Sequence, residues 1–179
     1  MSDQGEYTCD VFISSSPTDR VWVHEALLPR LQVADLRVDV SESGEDVDAI
    51  GMAELERRIR QARHVVAVLS PNALINRRTI FERDLAQSLD LQEGTFRLLL
   101  VRVAPLDERQ LPARLAMLSA ADFTRPDQVE RMFRKVVQVL QGPMLNQAMV
   151  QETQQHLPVG EQRGVVGQVL AWLRRLGGR

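Results

Sequence analysis

One short stretch constrains this chain more than any other. The run His64 to Leu69 (HVVAVL) is unbroken and apolar, ends at Ser70-Pro71-Asn72, and gives way to a helical pattern carrying Phe81, Leu85 and Leu89. A run of Val and Leu this short reads as a strand buried on both faces, the kind found inside parallel sheets. The proline-bearing loop then sets the first turns of the next helix at the strand's carboxyl end, and ligands of open α/β sheets bind along that edge. Glu82 falls there. On spacing alone a single glutamate on a helix is a solvated surface residue; its position at the strand end is what singles it out.

Read from the start, CDVFIS at residues 9–14 is a β-branched and aromatic first strand, closed by Ser14-Ser15-Ser16-Pro17. Thr18 or Asp19 is positioned as the N-cap of a helix reaching Ala34, with Trp22, Val23, Ala26, Leu27 and Leu31 on one face and a kink expected at Pro29. Leu36, Val38 and Val40 alternate with Arg37 and Asp39, which is strand periodicity. An acidic loop, Ser41 to Gly51, leads to a helix over 52–62 with Met52, Leu55, Ile59 and Ala62 inward and Glu54–Arg58 and Glu56–Arg60 paired outward. After the 64–69 strand come a helix over 73–91, a buried strand at 96–103 and a short helix within 106–118. A weak strand at 120–123 and a helix from Pro126, capped by Thr124, close the pattern.

Strand and helix thus alternate five times. The expected fold is α/β and flavodoxin-like: a five-stranded parallel sheet, order 2-1-3-4-5, with helices on both faces. In that order the switch point lies between strands one and three. Ser14–Ser16 and Ser70–Glu82 should therefore line one crevice. Gly142-Pro143 divides a domain at 1–142 from a C-terminal helical extension at 143–179. The extension's apolar side, including Trp172, Leu173 and Leu176, suits packing back on the domain, contact with another copy or a partner protein, or a membrane surface.

A net charge of −2 points to no nucleic-acid partner. Cys9 is the single cysteine and His24, His64 and His156 lack metal-ligand spacing, so no metal site is expected. No GxGxxG, Walker-type loop or GxSxG elbow occurs. A phospho-acceptor receiver needs acids where Ser14 and Ser70 stand. The polar start, MSDQGEYTCD, is unlike a signal peptide, and no apolar run approaches the ~20 residues of a membrane span, so a cytoplasmic protein is expected.

Two motifs carry a resemblance. Tyr7-Thr8-Cys9-Asp10-Val11-Phe12-Ile13-Ser14 is similar to the first box, YDVFIS, of the Toll/interleukin receptor (TIR) domain family. Leu69-Ser70-Pro71-Asn72-Ala73-Leu74 resembles its LSPNYL, with Phe81-Glu82 following where many members read WCxxEL. The likeness spans about residues 7 to 141 and suits a prokaryotic-type member. It implies either of two functions. Many TIR domains cleave NAD at the nicotinamide–ribose bond, with the carboxylate matching Glu82 as catalytic residue and NAD as substrate rather than cofactor. Ser14, Ser15, Ser16, Arg20, Arg78 and Phe81 would then hold the nucleotide. Other TIR domains are signalling scaffolds that assemble with themselves or other TIR domains through the loop after the second strand, here Ser43, Gly44, Glu45, Asp46 and Val47 with Ile50 and Gly51. Where members carry Trp four residues before the glutamate, this chain has Arg78, spaced to pair with Glu82 or to bind phosphate.

Overall fold

The computed structural model describes residues 7–41, 49–107, 109, 111–112, 115, 118 and 120–146, excepting the side chains at 49, 50 and 145. Strands β1 (Cys9–Ser14), β2 (Val38–Val40), β3 (Ala62–Leu69), β5 (Leu98–Arg102) and β6 (Ala120–Asp122) form a parallel sheet in the order β2-β1-β3-β5-β6. Two further two-residue strands, β4 (Thr95–Phe96) and β7 (Leu145–Asn146), pair antiparallel in a separate ribbon. With that ribbon set aside, the sheet order is the expected 2-1-3-4-5.

The sheet is covered on both faces because its residues alternate between two apolar layers. Val11, Ile13, Val66 and Val68 meet Val23, Leu27, Leu31, Phe133 and Val136 on one side. Phe12 and Val65 meet Leu55, Ile59, Ala86 and Leu89 on the other. Trp22, expected in the core, lies half-buried with its ring 5.3 Å from Phe123 and 6.0 Å from Phe133.

Several local expectations are corrected. The first helix does not simply kink at Pro29: an α turn (Arg20–Trp22) passes through a π turn (Val23–Leu27) into an α segment (Leu28–Val33). The widened turn directly precedes the proline, whose ring crowds the preceding turn and which has no N–H to give. The helix ends in a Schellman motif, with Leu36 N–H donating to Leu31 O (3.1 Å) and Asp35 N–H to Gln32 O (3.0 Å); Asp35 takes φ 58° where glycine is usual. The next helix, Ala49–Arg60, begins three residues before Met52 and so takes in Ile50 and Gly51, both expected in the loop. Met52 is exposed rather than inward. Glu54 pairs with Arg57, not Arg58, because Arg58 turns to Asp39 (2.5 Å); Glu56–Arg60 forms as expected. The single helix expected over 73–91 is split at Asn76 into Pro71–Ile75 and Arg77–Glu93. Thr124 does not cap the last helix (Val129–Gln141); its N–H and hydroxyl both donate to Asp122.

Among the described residues no helix is long and apolar enough to cross a membrane. The predicted extension lies outside the described residues from 147 onward, and β7 ties its first residues back to β4.

Candidate functional site

Ser14 ends β1, and Ser41 follows the last residue of β2. The parallel register sets Val40 beside Ile13, and Ser41 N–H donates to Ile13 O at 2.8 Å, so the two serines sit side by side at the carboxyl edge of the sheet. Helix Arg77–Glu93 arrives at the same edge. Its entry is fixed twice: Ser70 Oγ accepts from Ala73 N–H (3.1 Å) and Asn76 Oδ1 accepts from Thr79 N–H (3.0 Å). The second turn then delivers Glu82 between the strand ends.

Three donors converge on that carboxylate. The Ser14 hydroxyl donates to Oε2, the Ser41 hydroxyl donates to Oε1, and Arg78 Nε donates to Oε1 at 3.0 Å. Glu82 is fully buried, the serines nearly so, and Arg78 keeps 14% of its side chain exposed. A second cation stands close: the Arg58 guanidinium bonds Asp39, lies 5.3 Å from the Phe12 ring centre, and feels the Glu82 charge. The hydrogen bonds it donates to Asp39 do most to hold Arg58 above its ordinary pKa.

A companion cluster lies along the same edge. Asp19 accepts from Ser16 Oγ (2.5 Å) and Ser70 Oγ (2.6 Å), joining the turn after β1 to the turn after β3. This corrects its expected role as an N-cap, since no side-chain cap bond is made at the start of that helix. Ser15 Oγ, in the same turn, is buried with no hydrogen-bond partner among the described residues.

The two segments expected to share a crevice, Ser14–Ser16 and Ser70–Glu82, do meet at one edge of the sheet, where hydrogen bonds close them over the carboxylate. Ser14, Arg78 and Glu82 come together; Ser16 joins Asp19 and Ser70; Arg20 follows, half-buried, in the first helical turn. Phe81 packs instead against the layer of Phe12, Leu55 and Ile59. Ser43, Gly44, Glu45, Asp46 and Val47 lie outside the described residues. Ser41 and Asp19 were missed as site residues. Ser41 had one usable signal: in parallel register it follows β2 as Ser14 closes β1.

A carboxylate sealed in this way costs folding free energy that an apolar residue would not, because desolvation offsets much of the attraction between buried charges. A buried acid at the carboxyl edge of such a sheet is a candidate for chemistry. A separate cavity of about 280 Å³ lies nearby, walled by Leu69, Leu100, Leu115 and Leu118. Arg102, also on its wall, is paired with Asp122.

A family model described as TIR domain matches residues 11–137. No curated protein matches the sequence. Among solved structures, the TIR domain of the Toll-related receptor TRR-2 from Hydra magnipapillata is similar over 75% of this chain and 100% of its own, at 20% identity and a TM-score of 0.59. A metazoan TIR-STING receptor from C. gigas matches over 82% of this chain at 16% identity and a TM-score of 0.57. The same receptor in complex with 2',3'-cGAMP matches over 80% at 17% and 0.61. The chain spans 44% and 43% of those two receptor chains. At these identities the likeness establishes the fold.

Proposed function

Because the chain belongs to the TIR domain family, we propose that it is an NAD glycohydrolase that cleaves the nicotinamide–ribose bond, acting in self-assembled form within a defence or cell-death signalling system. The observation that carries this reading is Glu82: a fully buried carboxylate held by hydroxyls from two strand ends, at the edge where ligands of such sheets bind.

The chemistry asks little else of the protein. As the C1′–N bond breaks, its electron pair returns to the nicotinamide ring and neutralises the pyridinium, so the leaving group needs no proton. Positive charge builds on the ribose. A carboxylate beside that ring stabilises the oxocarbenium-like transition state, as in sugar hydrolysis. Water then adds to C1′ and gives up its proton, yielding ADP-ribose and nicotinamide. Ser14 and Ser41 hold one oxygen of Glu82 each, which fixes the carboxylate's orientation before substrate arrives.

The test is nicotinamide release by concentrated, assembled protein. Glu82→Gln keeps the shape and removes the charge, and should lower the rate by at least about 100-fold. If assembled wild type and Glu82→Gln are equally inert, the hydrolase reading fails. One observation favours a second reading, a TIR scaffold without catalysis: Arg78 closes over Glu82 and occupies it. In that case substitutions at Glu45 and Asp46 abolish association with other TIR domains, while Glu82→Gln leaves signalling intact.

A further inference from the structure

We propose that Arg78 makes the site selective for ligands carrying a diphosphate: its outward guanidinium nitrogens take the phosphate while its Nε releases Glu82. The choice of a dinucleotide as the natural ligand rests on the hydrolase reading; the anion site itself does not. Arg78 spends one donor on Glu82, the Nε–Oε1 bond of 3.0 Å. Among the described residues its two Nη groups make no hydrogen bond, and the side chain is the exposed member of an otherwise sealed cluster. A planar fork with unspent donors is the geometry that grips a phosphate in bidentate fashion.

The backbone around it points the same way. Helix Arg77–Glu93 has no acidic residue in its first turn and places Arg77 and Arg78 there. Acids are the favoured residues at that end of a helix dipole, so two arginines make it unusually electropositive and receptive to an anion. The exchange does not strand the carboxylate. When Arg78 leaves, Oε2 keeps Ser14 and Oε1 keeps Ser41. A ligand without phosphate has nothing to draw Arg78 away, so Glu82 stays capped.

Calorimetric titration with inorganic pyrophosphate tests this directly. Wild type should bind; Arg78→Met should bind at least 10-fold more weakly; Arg78→Lys, charged but without the fork, should fall between them. Glu82→Gln frees Arg78 of its competitor and should bind severalfold more tightly, a gain that damage to the fold would not produce. In parallel, NAD and nicotinamide riboside are compared as substrates. Arg78→Met should raise KM for NAD and, by uncapping Glu82, raise turnover of the riboside, so that the preference for NAD is erased. No pyrophosphate binding by wild type, or equal binding by wild type and Arg78→Met, overturns the proposal. If no variant cleaves NAD, the hydrolase reading fails and the pyrophosphate series still decides the anion site.

Discussion

At one end of the Arg77–Glu93 helix, Glu82 gathers hydroxyl donors from strand ends 41 and 68 residues away; near the other, Asp90 gathers donors no more than eight residues away. Both acids face a poorly exposed arginine, Arg78 in one case and Arg97 in the other. Their duties differ. Asp90 accepts from the backbone N–H groups of Arg97 (2.9 Å) and Leu98 (3.1 Å) and from Thr95 Oγ1 (2.9 Å), and Arg97 also pairs with Glu93. It clips the turn that leads from the helix through β4 into β5, satisfying backbone donors that would otherwise be buried unpaired. Burial still pushes its pKa upward, against those hydrogen bonds. Glu82 satisfies no backbone group among its hydrogen bonds. Two side-chain clusters alike in charge therefore separate into one that folding needs and one that folding tolerates.

Removing both charges at each end is the sharpest way to break that contrast. Asp90→Asn with Arg97→Met turns an amide donor toward a backbone donor, and should cost about 3–5 kcal/mol in urea unfolding. Glu82→Gln with Arg78→Met keeps partners for Ser14 and Ser41 and should stay within about 1 kcal/mol of wild type, or exceed it. Equal losses from the two pairs would show that the Glu82 cluster is also structural.

The amino edge of the sheet should also dominate pH dependence. Burial, with the nearby Arg63 charge, lowers His64 from 6.5 to about 4. Between those values the unfolded chain binds a proton that the folded chain refuses, so stability falls as pH drops through the window, by about 3 kcal/mol once pH 4 is reached. His64→Leu should flatten the curve of unfolding free energy between pH 7 and 5. Parallel curves for variant and wild type would exclude His64 as the source.

The smallest expected effect is at Ser15. Its hydroxyl is buried without a partner among the described residues, so Ser15→Ala should change stability by less than about 0.5 kcal/mol or raise it slightly. A loss of about 1 kcal/mol or more would reveal a bond that folding uses.

These differences track what was legible in the sequence. The sheet could be read because two of its strands, β3 and β5, carry continuous Val and Leu runs, and one ordering rule then brought Ser14 to Glu82 across 68 residues. The i,i+4 spacing announced the Arg78 pair as well. What escaped were choices between equivalent local partners. Arg58 had Glu54 one helical turn away and took Asp39 on a strand instead; Asp19 had a helix start to cap and took two serine hydroxyls. Periodicity supplies candidates of that kind, and only tertiary geometry selects among them.

The β4–β7 ribbon has a practical consequence. It lies just ahead of β5, whose five residues at about 3.3 Å each separate it by some 16 Å from the opposite rim. Arg63, which donates to Leu140 O at 2.8 Å, fastens the last helix to the same floor of the molecule. Asn146 thus stands toward the amino edge of the sheet, opposite the edge that holds Glu82. A dye placed at Asn146 itself, which is exposed, would sit on the edge away from the glutamate.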